Sequence, residues 1–323
     1  MGECLDLSRF PLRPTYALID LDAIDQNVRI VARSLTPGTK LIAVVKGNGY
    51  GHGATMVAET AIKAGASYLA VATVGEGRHL REEGIESAII VLGPTHRREH
   101  ELAVGLGLEP GVGDLATVES IARAATLLDR VAKVHIKVDT GMHRFGAAPE
   151  DAVELARAID HAPSLSLAGV FTHFADADAA DESSATGQAE LFDRVIVEIK
   201  AAGIDIPLVD EANSAATLRS RRYDYGAIRL GISMYGIPAS SNIPLLPGMK
   251  AAMTIESTIA RLFCLRKGER VSYGGTYEAL RDERAALVPI GYADGYRRAL
   301  SNRGWVSTGE MVLPVRGRVC MDQ

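Results

Sequence analysis

Short β-branched runs alternate with longer amphipathic stretches along most of this chain. Candidate strands are Tyr16–Asp20, Lys40–Lys46, Tyr68–Thr73, Ala88–Leu92, Leu108–Val112, Val134–Asp139, Leu167–His173 and Leu208–Glu211. Between them lie helical patterns. Asp22–Leu35 sets Ile24, Val28 and Val31 on one face, and Asp114–Leu128 and Gly187–Ala202 read the same way. Strand and helix in regular succession imply parallel strands joined by right-handed crossovers. Eight such units over roughly 240 residues predict an α/β fold, a (β/α)8 barrel. An open doubly wound sheet is the structural alternative, which counting alone leaves open.

The rhythm changes near Pro244–Gly248. Beyond it, Ala252–Leu265, Arg270–Tyr273, Ala285–Pro289 and Gly304–Val319 read as strands with glycine-bearing turns and no helices between them. The expected organisation is a barrel domain over residues 1–247 and a mainly β C-terminal domain over 248–323. With 47% hydrophobic and 23% charged residues the chain is too apolar for disorder. A net charge of −5, both signs interspersed, gives no electrostatic reason for a nucleic acid or an anionic membrane as partner. No apolar run reaches membrane-spanning length. The opening MGECLDLSRFPLRP carries two acids and a proline where a signal peptide needs an apolar core. Cys4, Cys264 and Cys320 form no CxxC pair, so a reducing cytoplasm is the default and no metal is expected.

The segment richest in chemistry is Ala43-Val-Val-Lys-Gly-Asn-Gly-Tyr-Gly-His-Gly53. It sets Lys46 at the C-terminal end of an apolar strand, the barrel face where active sites are built. A lone lysine there is ordinarily a solvated one. The closely spaced glycines argue otherwise, because they let the backbone pass close to another group. A lysine whose pocket lowers its pKa forms Schiff bases. Tyr50 adds a hydroxyl to the same loop, whereas His52, set between glycines, is better read as shaping a turn.

VVKGNGYGHG resembles the cofactor-lysine motif of the alanine racemase family (fold-type III enzymes dependent on pyridoxal 5'-phosphate), which usually has alanine at the positions of Gly47 and Gly49. Further segments follow in the family's order. They are Lys137-Val-Asp-Thr-Gly-Met-His-Arg-Phe-Gly146, Phe171-Thr-His-Phe-Ala175, Ala212-Asn-Ser-Ala-Ala216, Ile228-Arg-Leu-Gly-Ile-Ser-Met-Tyr-Gly236, Val271-Ser-Tyr-Gly-Gly-Thr-Tyr277, Pro289-Ile-Gly-Tyr-Ala-Asp-Gly-Tyr296 and Cys320-Met-Asp-Gln323. The match runs from about residue 14 to the last residue, and the ordered set is highly specific.

The resemblance implies a function, the interconversion of L- and D-alanine to supply peptidoglycan, and a set of roles. Lys46 carries the cofactor and serves as one of two bases. Tyr273 is the second base, acting on the opposite face of the substrate. A tyrosine titrates near 10 unaided, so it needs cationic help, and Arg144 and His173 match residues placed to give it. Arg229 matches the arginine that meets the cofactor's ring nitrogen. An arginine accepts no proton, so the nitrogen stays neutral and the ring is a weaker electron sink, which favours racemisation over transamination. Tyr50, Ser214 and the backbone amides of Gly231 and Ile232 match the phosphate site. Lys137 matches a lysine that many members carry carbamylated, positioning Arg144. Met321 matches a residue whose backbone amide holds the substrate carboxylate beside Arg144, and Tyr292 one that narrows the entrance. In the family Tyr273 and Met321 serve the partner's cofactor, so the resemblance implies a homodimer with shared sites.

Two departures stand out. Asp210 lies three residues before Asn213, where the family usually has a histidine. The family's second domain also continues past CMDQ and supplies another tyrosine, so the C-terminal domain is expected to be incomplete at Gln323. The alternatives are a racemase of broader specificity for serine or lysine, a group-specific decarboxylase, and a non-catalytic pyridoxal-phosphate-binding protein. VSYGGTY and CMDQ argue against the last two.

Overall fold

The computed structural model describes residues 13–323; Cys4 and the first part of the N-terminal segment lie outside them. In chain order the elements up to the barrel's closing strand are β1 (Tyr16–Ile19), α1 (Leu21–Ser34), β2 (Lys40–Val44), α2 (Lys46–Tyr50), α3 (Ala54–Lys63), β3 (Tyr68–Val71), α4 (Val74–Glu82), β4 (Ile89–Val91), α5 (His100–Gly105), β5 (Glu109–Val112), α6 (Leu115–Leu127), β6 (Ala132–Lys137), α7 (Ala152–Asp160), β7 (Leu165–Phe171), α8 (Ser183–Ala201), β8 (Val209–Asp210), α9 (Ser214–Arg219) and β9 (Ala227–Leu230). β2 to β9 close into an eight-stranded barrel. Its strands are parallel throughout, and the seam sets Leu41 against Ile228 and Ile42 against Arg229.

One strand differs from expectation. The sequence pattern counts Tyr16–Asp20 among the eight and passes over Ala227–Leu230. In the structure β1 pairs instead with a strand of the second unit, and β9 closes the barrel. The exposure of the two segments explains the exchange. Tyr16 and Leu18 are each 53% exposed, whereas all four residues of β9 are buried. An arginine in the middle of a four-residue strand hides its apolar character.

The barrel holds an inner and an outer core. Ile42, Val44, Ala70, Ile90, Leu208 and Ala227 pack together inside the ring. Outside it, the helices bury their apolar faces against the sheet. α1 shows how: Asp20 caps it by accepting from the Ala23 N–H at 2.9 Å, and Ile24, Val28 and Val31 are wholly buried. Each such side chain stabilises the fold by about 1.5–3 kcal/mol.

The chain divides into two compact units, Ile19–Ala252 and Met253–Gln323, and residues 13–18 group with the second. The second unit continues with β10 (Met253–Glu256), β11 (Arg261–Leu265), β12 (Arg270–Val271), β13 (Tyr277–Glu278), β14 (Glu283–Leu287), β15 (Trp305–Ser307) and β16 (Val312–Pro314). Its strands form two-stranded pairs: β1 with β10, β11 with β14, β12 with β13 and β15 with β16. Residues 13–18 are tied into it by side chains. Thr15 donates to the Pro289 carbonyl at 2.7 Å, and the Tyr16 hydroxyl to Glu256 at 2.8 Å. Among the described residues no helix is long and apolar enough to cross a membrane.

Candidate active site

Lys46 stands two residues beyond the last residue of β2 and opens a turn of unusual hand. Gly47, Asn48, Gly49 and Tyr50 all have positive φ, and the first three sit at φ/ψ near 62/43, 53/48 and 62/43. This is a single turn of left-handed helix. L-residues pay roughly 1–2 kcal/mol each in that conformation, and glycine at two of the four positions removes half of that strain. Asn48 tolerates it best of the remainder, and its Oδ1 accepts from the Ala54 N–H at 2.9 Å. A carboxylate fastens the other side. Glu76 accepts from the N–H groups of Gly47 and Ala72, both at 2.7 Å, while closing a capping box with Thr73 at the start of α4. Lys46 is half-buried. Burial lowers its pKa most, Arg144 and Arg229 add to that, and Glu76 opposes it. A lysine that sheds its proton readily is a nucleophile and a base.

The upper interior of the barrel gathers cations. Arg229, on β9, is 3% exposed and forms an ion pair with Asp210 at the end of β8. The same guanidinium donates to the Thr172 carbonyl at 2.5 Å and the Glu211 carbonyl at 3.1 Å, and lies 3.3 Å from Nδ1 of His173. Burial pushes Arg229 down to about 9. Lys137 is buried at the end of β6, donates to the Phe145 carbonyl, and is lowered to about 8 chiefly by burial. His173 is lowered to about 3 by burial and then by Arg229, Arg144, Lys46 and Lys137. It is therefore a neutral imidazole, and its Nδ1 accepts from Arg229. A neutral imidazole carries no positive charge of its own to offer a neighbour.

A second group of expected residues meets around Gly231. The Ser214 hydroxyl accepts from the Gly231 N–H at 2.9 Å and the Ser233 N–H at 3.4 Å. A Cβ built on Gly231 would stand 3.0 Å from the Tyr50 hydroxyl and 3.7 Å from the Ser214 hydroxyl. Two hydroxyls thus converge on a spot kept clear of any side chain. Asn213 caps α9 by accepting from the Ala216 N–H at 3.1 Å, which fixes Ser214. Ile232 opens the 3₁₀ turn that follows Gly231. Tyr235 supports the cradle from below: its ring lies 4.9 Å from that of Tyr50 and its hydroxyl donates to the Val44 carbonyl at 2.9 Å. Neutral donors around a cleared space suit a phosphate, and an amine near a barrel mouth suits an aldehyde, so the residues present fit a pyridoxal phosphate.

The remaining three expected residues lie in the second unit. Tyr273, Met321 and Tyr292 are 70%, 60% and 46% exposed. They share one region of it. The Tyr292 N–H donates to the Cys320 carbonyl at 3.0 Å and the Ala293 N–H to the Met321 carbonyl at 2.9 Å. Ser272, just before Tyr273, donates to the Arg318 carbonyl at 2.7 Å.

Known proteins share this fold. The profile of the "Alanine racemase, N-terminal domain" family matches residues 19–239, and that of the "Alanine racemase, C-terminal domain" family matches residues 252–323. This chain belongs to the alanine racemase family. The alanine racemase of Halothermothrix orenii is 40% identical over 311 residues, covering 96% of this chain and 82% of that one. The solved alanine racemase of Streptomyces lavendulae superposes with a TM-score of 0.91 at 34% identity, over 97% of this chain and 83% of that one. The Bartonella henselae alanine racemase, solved with covalently bound pyridoxal phosphate, gives a TM-score of 0.85 at 28% identity, over 96% and 84%.

Three residues of the site escape a reading of the sequence as an alanine racemase. Glu76 has a local signal, the Thr73-Val-Gly-Glu76 capping pattern, but nothing local tells that it also holds the lysine turn. Thr172 contributes a carbonyl, which no side-chain pattern reveals. Asp210 is visible only as a departure from the family's histidine.

Proposed function

We propose that Lys46, the Gly231 cradle and Arg229 hold pyridoxal 5'-phosphate and that the chain interconverts L- and D-alanine on it. The observation that carries this reading is the meeting, at one barrel end, of a lysine with lowered pKa and a side-chain-free cradle of two hydroxyls. When bound, the cofactor withdraws electrons from the substrate Cα and makes its proton removable. Tyr50, Ser214 and the amides of Gly231 and Ile232 bind the phosphate, and Arg229 faces the ring nitrogen. The Lys46 amine takes or returns the proton on one face of Cα, and the Tyr273 hydroxyl does so on the other. Arg144 supplies the positive charge that eases the tyrosine's ionisation, and with the Met321 amide it holds the substrate carboxylate. Tyr292 narrows the entrance.

Lys137, lowered to about 8, has a substantial neutral fraction near physiological pH. Its amine adds to carbon dioxide with release of a proton, and the resulting carbamate offsets and orients Arg144. The exposed Tyr273 and Met321 complete the site of a second copy in a homodimer. The product serves peptidoglycan synthesis, and the free Cys264 and Cys320 suit a cytoplasmic place.

Borohydride treatment of the purified protein, followed by peptide mapping, is expected to fix the cofactor on Lys46. L-alanine is expected to lose optical rotation with the untreated protein and to keep it with the treated one. Label on another residue, or on none, overturns the reading.

A further inference from the structure

A buried carboxylate at the end of β8 has no part in the roles assigned above. Asp210 is 2% exposed and ion-paired with Arg229. The cations around that pair come from every side: Lys46 beyond β2, Lys137 on β6 and Arg144 from the loop after it, with neutral His173 beyond β7. Glu211, next in the chain, responds to Asp193 and Arg222, and two other carboxylates near the lysine turn and after β6 are committed elsewhere. Asp139 accepts from the N–H groups of Gly141 and His143, both at 3.0 Å, and Glu76 holds the lysine turn. An unpaired guanidinium this deep costs several kcal/mol, and a neutral imidazole at position 210 would leave Arg229 a full cation.

We propose that Asp210 is a positioning residue which fixes the Arg229 guanidinium and cancels its charge, so that the cofactor's ring nitrogen faces a net-neutral pair rather than a lone cation. The inference rests on the placement of Arg229 at that nitrogen. A lone cation there opposes protonation of the nitrogen, and a neutral pair opposes it far less. Asp210 thereby makes the ring a stronger electron sink than the arginine alone would allow, and raises the share of turnovers lost to transamination.

The test uses Asp210→Asn, which keeps shape and loses charge, and Asp210→His, which keeps a hydrogen-bonding partner if the first variant folds poorly. Three readouts apply. In the cofactor-free protein, melting of Asp210→Asn, Arg229→Gln and the double variant is expected to be non-additive. In the holoprotein, the pH midpoint of the visible absorbance band is expected to shift in both single variants at position 210. The number of transaminations per racemisation, independent of the amount of folded enzyme, is expected to fall roughly tenfold, the effect of one pKa unit at the ring nitrogen. Additive melting, or an unmoved band with an unchanged ratio, overturns the proposal. If wild-type Lys46 takes the borohydride label while the ratio stays fixed, only the role of Asp210 falls. If Lys46 takes no label, the cofactor reading falls with it.

Discussion

Glu211 follows Asp210 directly, and its neighbour's solution to burial is not available to it. The side chain is 1% exposed, and Oε2 has no hydrogen-bond partner. Burial, and then Asp193, push its carboxyl from the ordinary 4.5 up to about 8, with Arg222 opposing. Between those two values the folded chain binds a proton that the unfolded chain has released. Stability therefore falls as pH rises across that window and levels off above it. Glu211→Gln removes the titration. Thermal melts at pH 5 and pH 8 are expected to show a smaller loss for the variant than for the wild type, by at least about 1 kcal/mol. A parallel loss in both proteins would mean that the carboxyl finds its own relief. Arg229 and Asp210 show the other outcome for buried charge, mutual pairing, and the contrast arises between adjacent residues of one strand end.

At the scale of elements, the left-handed turn after Lys46 decides what its glycines are for. The sequence pattern reads them as room for a close neighbour. A Cβ on Gly47 meets nothing within 4 Å, and one on Gly49 makes ordinary 3.4 Å contacts with Ala54 and Val57. What these positions demand is positive φ, and alanine satisfies that at modest cost. Gly47→Ala and Gly49→Ala are each expected to change stability by no more than about 1 kcal/mol by chemical denaturation, since the lost flexibility of the unfolded chain offsets part of the strain. Gly236 is the opposite case: φ is +72° and a Cβ would lie 1.8 Å from the Lys250 carbonyl oxygen. Gly236→Ala is expected to lose more than about 3 kcal/mol or to fail to fold.

The same elements show what periodicity conveys. Seven of the eight barrel strands stand out as apolar runs between amphipathic helices. β9 does not, because a charged arginine stands among its four residues. Lys46, Tyr50, Ser214 and Arg229 are legible as motifs whose order survives folding. The partners that tune them are not, since Glu76, Thr172 and Asp210 act through long-range contacts or through backbone atoms.

For the whole molecule the telling contrast lies between the units. The barrel buries most of its large apolar side chains and leaves Met56, Leu127, Val131 and Val197 more than half exposed, whereas the much shorter second unit leaves Leu262, Tyr273, Leu280, Trp305 and Val312 so. Apolar surface on that scale favours cover by another chain. With shared sites, Lys46→Ala and Tyr273→Phe should each be nearly inactive alone. Co-expressed, half of the dimers are mixed and one of their two sites holds both native groups, so about a quarter of wild-type racemisation is expected to return. A co-expressed sample as inactive as its parents would assign Tyr273 to its own chain's lysine.

The exchange of barrel strands also bears on how the protein is made. β1 leaves the ribosome first, yet its partner β10 is synthesised only after the whole barrel. The barrel has every strand it needs by β9 and is free to mature early, while the leading segment waits, extended and unpaired, for its sheet. A peptide beginning at Met253 would lack that edge from the outset, and supplying residues 13–19 separately should restore order to it.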